Sequence, residues 1–510
     1  MTSRSDEPPE RTLHVNGDAG LAAASTADVL DTDAAAGLLI RGAAGRTIGY
    51  VTGLAIGLLA VPLMIRELGV ERYGLFITAS SVALLIYAVT EAGLTALGVR
   101  EYSSASESER PLVLRNLLGI RLFLTIAGVA IASTLLAVTG AQTAIVRGTL
   151  ILGLGLLLLA AQQSYQIPLL SQLRLGSVTL LELLRQSTAT AATLVVVVAH
   201  GSLNAFFWAN AIASGVMAVA TVAILRHTVT LRPSFDRTAW KFLLSETLPF
   251  ALSSVITLAY FRVAVVLMSY LTTAEETGYY SAAFRIVEVL AIVPWLLVSS
   301  AFPILVRAAR DDKDRFSYAI QRIFEISVIL GPWMALSIGI LAPFAVFVVA
   351  GADFEPSISV LRILGVAHVT GFLAVSGIYA MLALKRYRAL VSANLLALTV
   401  AIVGTALLAP PFGAQGAAVA TVAADATLAI ACFVLLARSP VLRLDLAIVP
   451  KSALSLVASL IPPLVLSLHP LVLFVLSSLA YFAVAHVLGA IPTEVVQAFR
   501  QRRSGAAPAA

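Results

Sequence analysis

The sequence predicts an all-α, polytopic membrane protein. Of its 510 residues, only 12% are charged and 59% are hydrophobic, whereas soluble domains carry roughly 25% charged residues. The mean hydropathy of +0.93 indicates apolar segments along the whole chain. Helices satisfy their own backbone polar groups in lipid, and the sequence lacks the alternating pattern of barrel strands. A chain this poor in charge cannot cover a water-facing surface.

Fourteen windows are long enough to cross the membrane, since a span requires about 20 mostly apolar residues. We therefore predict about 14 transmembrane helices, of which the last two are the shortest. The windows lie near residues 43–65, 74–98, 116–138, 145–165, 178–199, 204–225, 243–271, 281–305, 322–349, 358–383, 389–409, 414–437, 450–467 and 470–489.

Lysine and arginine in the connectors predict the orientation of the spans, because they accumulate on the cytoplasmic side. The outer connectors hold few of them, and two are acidic, with Glu275 and Glu276 in one and Asp353 and Glu355 in the other. Both termini are therefore expected in the cytoplasm. The inner connectors and the tail contain Arg100, Arg110, Arg115, Arg174, Arg226, Arg232, Arg237, Lys241, Arg307, Arg310, Lys313, Arg315, Lys385, Arg386, Arg388, Arg438, Arg443, Lys451, Arg500, Arg502 and Arg503.

Several classes of function are excluded by what the sequence lacks. Its connectors are too short for a soluble catalytic domain, and it has no P-loop for a primary ATP-driven pump. The single cysteine, Cys432, excludes an internal disulfide and cysteine-based zinc clusters, and the six histidines show no paired metal spacing. We expect no metal site and no catalytic residues, so the function must reside within the helix bundle.

Charged residues inside the spans are the candidates for that function, because a charge in hydrocarbon costs at least about 2.5–3.5 kcal/mol on insertion scales. Arg262 lies near the middle of the seventh span, and its planar guanidinium suits phosphate oxygens. Asp425 is similarly central in the twelfth span, and Glu91 lies nearer the cytoplasmic end of the second. Arg285 and Glu288 are three residues apart on the eighth span, hence on one helical face.

Structural roles remain open for some of these charges. Arg285 with Glu288, and Glu182 with Arg185, have the spacing of ion pairs within a helix. Arg46 sits at the inner mouth of the first span. Arg262 is the residue for which a cavity-facing, functional position is the better interpretation.

Four stretches, taken in order along the chain, resemble motifs of one family. The stretches are Pro62, Arg66, Leu68, Gly69, Tyr73 and Gly74; Glu91-Ala92-Gly93-Leu94; Gly278-Tyr279-Tyr280-Ser281-Ala282-Ala283-Phe284-Arg285, followed by Pro303; and Gly413, Gly416, Ala417, Ala418, Ala420 and Thr421. Similar stretches mark the first outer turn, the end of the second span and the starts of the eighth and twelfth spans in the polysaccharide and O-antigen flippases of the multidrug/oligosaccharidyl-lipid/polysaccharide exporter superfamily. The resemblance covers about residues 38–490.

The resemblance implies two parallel six-helix halves plus two C-terminal helices. It also implies a flippase, not an enzyme, that moves a lipid-(pyro)phosphate-linked oligosaccharide from the inner to the outer leaflet of a bacterial inner membrane by alternating access. The implied partners are the lipid-linked glycan, membrane lipids, and a polysaccharide polymerase or glycosyltransferases, with no nucleic acid. No cofactor is expected, and a proton or sodium gradient is the expected energy source.

The resemblance also suggests roles for the buried charges. Related sequences often carry an acidic residue shortly after the arginine of the seventh span, but here Ala264 follows Phe261-Arg262-Val263. Arg262 is therefore either free for substrate or paired elsewhere, with Asp425 or Glu91 as candidates. The implied substrate-binding residues are Arg46, Arg262 and Arg285, and those for ion coupling or structural pairing are Glu91, Glu288 and Asp425.

Two other functions remain open. A drug/cation antiporter of the same superfamily predicts more acidic than basic residues in the cavity and usually twelve spans. A membrane glycan polymerase or ligase usually presents a long outer loop with catalytic arginine or histidine, and this sequence has no such loop.

The predicted organisation has six segments. They are a disordered cytoplasmic tail (1–36), an N-terminal six-helix half (37–225), a cytoplasmic linker (226–242), a C-terminal six-helix half (243–437), two extra transmembrane helices (438–490) and a basic cytoplasmic tail (491–510).

Overall fold

The structure is a computed structural model that describes residues 33–91, 93–225, 232–438 and 444–490. Side chains are described in these ranges except at residues 33–51, 54, 55, 58, 249, 250, 253 and 254. Every regular element within the described ranges is a helix, which confirms the predicted all-α fold. The predicted basic tail and most of the predicted N-terminal tail lie outside the described residues, and the first helix begins at Asp33.

Sixteen α-helices follow one another along the described chain. We refer to α1–α7 as the N-terminal half and to α8–α13 as the C-terminal half. A short 3-10 helix, Ala352–Phe354, lies between α11 and α12. The helices are α1 (Asp33–Glu91), α2 (Leu94–Ser104), α3 (Arg110–Val138), α4 (Thr143–Tyr165), α5 (Ile167–Ser171), α6 (Leu175–Val198), α7 (Leu203–Leu225), α8 (Arg237–Leu271), α9 (Ala274–Leu290), α10 (Ile292–Asp311), α11 (Lys313–Val349), α12 (Ser357–Ala383), α13 (Tyr387–Ala437), α14 (Ile448–Ser459), α15 (Ile461–Val465) and α16 (Pro470–Val487).

The two longest helices each bend sharply at a glycine. Gly69 in α1 has φ 67° and ψ 177°, and Gly413 in α13 has φ 56° and ψ −136°. Such a positive φ costs glycine little, because glycine has no Cβ. The bends fall between the first and second predicted spans and between the eleventh and twelfth.

Eleven helical stretches within the described residues are long and apolar enough to cross a membrane, and α8 contributes a shorter apolar segment, Val255–Leu271. The chain is therefore a multi-pass membrane protein. The predicted number of fourteen spans is not confirmed by this count. Two of the eleven stretches, Leu59–Ser104 and Tyr387–Ala437, contain a bend at Gly69 or Gly413.

Local sequence signals explain where several helices begin. Thr273 caps α9 by accepting a hydrogen bond from the backbone N–H of Glu276, the Thr-x-x-Glu arrangement of a capping box. Asp312 caps α11 in the same way, accepting from two backbone N–H groups. The break between α9 and α10 at Ala291 precedes Pro294, because proline lacks the N–H that a continuous helix requires.

The two halves meet where α1 packs against α8 and α9. A shared apolar core fills this contact, with Tyr73 and Phe76 of α1 beside Met268 of α8 and Tyr280 of α9, all nearly inaccessible to solvent. This contact places the charged residues of α8 and α9 opposite the polar residues of the N-terminal half.

The last helices are fastened to the C-terminal half by hydrogen bonds. Ser452 of α14 lies 2.9 Å from the hydroxyl of Tyr481 on α16 and donates to the carbonyl of Val328 on α11. Tyr481 also donates to the carbonyl of Ile329. Helices α14 and α16 both pack on α11.

Candidate functional site: a cavity between the two halves

A cavity of about 630 Å³ lies between the halves, within the range of about 300–1,000 Å³ that is typical of small-molecule sites. Helices α1, α4, α6 and α7 of the N-terminal half form most of its wall. The described wall residues from the C-terminal half are Arg262 of α8 and Arg285 of α9. The structure thus brings together two of the three arginines that the resemblance associated with substrate binding.

Glu288 holds both of these arginines. Its Oε1 accepts a hydrogen bond from Nη2 of Arg262, and its Oε2 accepts one from Nη1 of Arg285 at 2.9 Å. Because one carboxylate faces two guanidinium groups, the cluster retains a net positive charge. The Nε of Arg262 has no hydrogen-bond partner among the described residues, although the side chain is only 12% exposed. Each guanidinium has five N–H donors and gives one of them to Glu288, so the cluster can donate further hydrogen bonds to an anion.

The two candidate partners that the sequence suggested for Arg262 were wrong. Its carboxylate partner is Glu288, not Asp425 or Glu91. Asp425 instead accepts a hydrogen bond from the hydroxyl of Tyr260. The side chain of Arg46 lies outside the described residues, so its assignment to substrate binding stays a prediction.

Glu91 belongs to a separate cluster in the N-terminal half. Its Oε2 lies 3.1 Å from Nη2 of Arg121 on α3, and that side chain is 1% exposed. The same nitrogen donates to the hydroxyl of Thr95 at 2.7 Å. Sequence analysis did not single out Arg121, although a charge inside the third predicted span was a sufficient signal. This geometry favours structural pairing as the role of Glu91.

We expect Glu91→Ala to lower the free energy of unfolding by up to about 3 kcal/mol, because it leaves the buried guanidinium of Arg121 without its carboxylate. Thermal unfolding of the detergent-purified protein measures the effect. Glu101→Ala is the matched control, since Glu101 pairs with the exposed Arg100 and such pairs contribute about 0–1 kcal/mol. Equal melting temperatures for the two variants would contradict the structural role.

A second ion pair lines the cavity on the N-terminal side. Arg185 of α6 donates two hydrogen bonds to Glu182, at 2.5 and 3.2 Å. The spacing of the two residues predicted this ion pair within a helix, but not its position in the cavity wall. Since each charge has its own partner, the pair adds little net charge to the wall.

Amide side chains form much of the remaining polar wall, and sequence analysis missed them. A run of glutamines at the end of an otherwise apolar span was the available signal, because a polar amide in an apolar setting requires a partner. The amide residues of the wall are Gln162 and Gln163 of α4, Gln166 directly after it, Gln186 of α6 and Asn210 of α7.

Two glycines close the contact between the halves beside the predicted outer connectors; we call this contact the outer closure. A Cβ added at Gly74 of α1 would meet the carbonyl oxygen of Ala274 and lie 3.0 Å from the backbone nitrogen of Gly278. A Cβ added at Gly278 of α9 would meet the carbonyl oxygen of Val70. The contact is reciprocal, because each glycine faces the carbonyl four residues before the other.

Side chains reinforce the outer closure. Arg66 of α1 donates from Nη2 to the carbonyl oxygens of Phe347 and Val348 at 2.8 and 2.7 Å. These carbonyls belong to the last turn of α11, where helix carbonyls lack intrahelical partners. Phe354 packs edge-on against Tyr73 of α1 and Tyr279 of α9, with ring centroids 6.2 and 6.3 Å apart. The N-terminal half is thus tied to the C-terminal half at this end.

A match to a family model shows the family of this chain. The model described as "Polysaccharide biosynthesis protein" matches residues 39–309, more than half of the chain. The chain belongs to the polysaccharide biosynthesis protein family. This confirms the family that the four sequence motifs resemble. A comparison with curated proteins found no matching sequence.

Solved structures show the fold of this polysaccharide biosynthesis protein. The lipid II flippase MurJ in an inward closed conformation has a TM-score of 0.73 and 15% identity, covering 87% of this chain and 98% of that one. An inward-facing multidrug resistance MATE family transporter of the MOP superfamily has a TM-score of 0.61 and 18% identity, and the match covers 76% of this chain and 94% of the transporter. An outward-facing MATE transporter has a TM-score of 0.52 and 17% identity, and the match covers 79% of this chain and 95% of the transporter. The chain shares the fold of these proteins, as the sequence predicted.

Proposed function

We propose that this chain is a flippase that carries a lipid-(pyro)phosphate-linked oligosaccharide from the inner to the outer leaflet for surface polysaccharide biosynthesis. The observation that carries the proposal is the net positive cluster of Arg262, Arg285 and Glu288 in a polar cavity between the halves. Guanidinium groups match phosphate oxygens in geometry and charge. Membership of the polysaccharide biosynthesis family and the MurJ-like fold support the same function.

The cavity addresses the main physical obstacle to flipping. A phosphorylated sugar head group cannot cross hydrocarbon unaided, because each buried charge costs several kcal/mol or more. The lipid tail needs no such help, because it is as apolar as the bilayer. We infer that the head group travels through the cavity while the tail remains in lipid.

Alternating access is the proposed mechanism. In the present state the outer closure holds the halves together, and outward opening requires Gly74 and Gly278 to separate and Arg66 to leave the carbonyls of α11. Binding of cargo or an ion shifts the populations of the two states only if it favours one of them. We propose a proton or sodium gradient as the energy source, with Asp425 and Glu288 as the candidate coupling carboxylates.

The proposed setting is a bacterial inner membrane with both termini in the cytoplasm. It rests on the distribution of lysine and arginine among the connectors. A polysaccharide polymerase and glycosyltransferases are the proposed partner enzymes, because a flipped glycan must be assembled before transport and elongated or transferred after it.

The drug/cation antiporter is the second candidate, favoured by the likeness to MATE transporters in fold. The charge of the cavity argues against it, since the described wall holds three arginines and a single carboxylate, Glu182, with Glu288 beside them. A wall of this charge repels a cationic drug. We also propose that the chain makes and breaks no glycosidic bonds, in contrast to a polymerase or ligase.

Purified protein in proteoliposomes tests the proposal. We expect the protein to move a fluorescent polyprenyl-pyrophosphate-linked disaccharide between leaflets, measured by lectin access to the sugar, and not to accumulate ethidium. Protein-free liposomes and the variant Arg362→Ala, which alters an exposed arginine of α12 away from the cavity, are the controls. Ethidium transport without glycan movement would establish the antiporter, and lengthened glycan products would establish a polymerase.

A further inference from the structure

The amide groups of the cavity lie on its N-terminal side, apart from the arginines of the C-terminal half. In the described wall, the unshared positive charge comes from α8 and α9 of the C-terminal half. The N-terminal half supplies the amides, together with hydroxyl groups from Ser80, Ser81, Thr190, Thr193 and Ser214. The cavity therefore has a cationic side and a hydrogen-bonding side whose described charges, Glu182 and Arg185, neutralise each other; we call the second the uncharged side because it has no net charge.

Buried polar atoms on the uncharged side have spare hydrogen-bonding capacity. Gln162 is 1% exposed and donates to Oε1 of Gln166 at 3.1 Å, but its own Oε1 has no partner among the described residues. The hydroxyl of Ser81, which is 2% exposed, likewise has no described partner. Leaving such groups unpaired costs about 1–3 kcal/mol each, which indicates a ligand that supplies donors and acceptors.

Neighbouring groups give this side a fixed shape. Gln163 donates to the hydroxyl of Tyr87 at 2.7 Å, so two cavity-lining groups hold each other. Gln186 lies against Gly57, where a Cβ on the glycine would meet its side-chain nitrogen. Gln162 lies in the last turn of α4 and Gln166 is the residue that caps this helix, one helical turn later, so both side chains lie on one face of the helix end. A preorganised set of amides and hydroxyls loses little entropy when it binds.

The geometry points to a sugar subsite on the N-terminal side of the cavity, formed by Gln162, Gln166, Gln186 and Ser81, that binds the uncharged sugars next to the phosphate. This assignment rests on the proposed function, since it places the phosphate at Arg262 and Arg285. Sugar hydroxyl and acetamido groups donate and accept hydrogen bonds as amides do. The subsite does not favour an acidic sugar, because the guanidinium on this side, that of Arg185, is already paired with the carboxylate of Glu182.

The test compares two probes on purified protein in lipid nanodiscs: polyprenyl pyrophosphate whose terminal phosphate carries a methyl ester, which we call the bare lipid, and the same lipid with a neutral N-acetylhexosamine in place of the methyl group. Both probes are pyrophosphate diesters of equal charge, so contacts to tail and phosphate are common to both and cancel in the ratio of dissociation constants. We expect the wild type to bind the sugar-bearing probe about tenfold or more tightly than the bare one. Gln162→Leu and Gln186→Leu should each reduce this preference about three- to tenfold, with bare-lipid affinity within about twofold of wild type.

The controls separate the two proposals. Gln172→Leu changes an exposed glutamine outside the cavity wall and should preserve both affinities. Arg262→Ala should weaken the binding of both probes by the same factor. Equal affinity of the wild type for both probes, or a parallel loss of both in the leucine variants, overturns the sugar subsite alone. If neither probe binds, or if Arg262→Ala binds the bare lipid normally, the proposed function itself fails.

Discussion

Arg262→Ala is expected to reduce transport of the lipid-linked glycan about tenfold to a hundredfold, while the protein still inserts into the membrane. The variant loses charge-assisted hydrogen bonds of about 1.5–3 kcal/mol, and each 1.4 kcal/mol corresponds to a factor of ten. It also leaves Glu288 with Arg285 alone, which removes the net positive charge of the cluster. Arg262→Lys should be impaired as well, because an ammonium lacks the planar fork of a guanidinium.

A double variant separates substrate binding from structural pairing. If Arg262 only compensates Glu288, then Arg262→Met combined with Glu288→Gln removes both charges and should restore transport, since a buried pair can often be replaced by neutral residues at little cost. If Arg262 binds the phosphate, the double variant should fold and remain inactive. Transport is measured in the proteoliposome assay and folding by thermal unfolding. Arg362→Ala should behave as the wild type in both measurements.

Gly74→Ala and Gly74→Leu are expected to destabilise the outer closure. Even a single methyl group would meet the backbone carbonyl of Ala274, and a backbone atom cannot move aside without shifting α9. Overpacking of this kind costs about 1–3 kcal/mol, so the closed population should fall about fivefold to a hundredfold. Transport should fall with it, because the cycle returns less often to the state with its outer side closed.

Cysteine accessibility reports the position of the halves. Met64 lines the cavity, and the native Cys432 is fully buried, so Met64→Cys in a Cys432→Ala background gives a single reporter. A membrane-impermeant maleimide applied at the outer face should label it faster in the Gly74 variants than in the parent. Gly371→Ala and Gly371→Leu are the controls, because open space surrounds a Cβ at that position. Unchanged labelling and transport in Gly74→Leu would show that this contact does not gate the cavity.

The glycines of the outer closure show how much a sequence motif reveals without a structure. Gly74 and Gly278 belong to two separate motifs in the sequence, and each was recognised only by its resemblance to a family. In the structure they face each other across the two halves, with a backbone carbonyl against each. The close approach of two helices is the physical reason that glycine is required at both positions.

The sequence did not predict the amide side of the cavity, and the reason is a different one. Gln162 and Gln166 are polar residues at the end of an apolar span, and that fact alone does not distinguish a cavity from a boundary with water. Their neighbours in the wall come from other helices, such as Asn210 of α7. Only the packing of those helices shows that the amides share one space with the arginines of α8 and α9.

The sequence by itself determined that this chain crosses a membrane many times as helices, and that Arg262 is a charge placed deep within one of them. Hydropathy over a window and the depth of a residue in a helix are local properties, so neighbouring residues are enough to establish them. The tertiary structure alone decided that Arg262 pairs with Glu288 rather than with Asp425 or Glu91, and that Glu91 pairs with Arg121. Those pairings depend on the rotation and separation of packed helices, which residue spacing within a single helix does not specify.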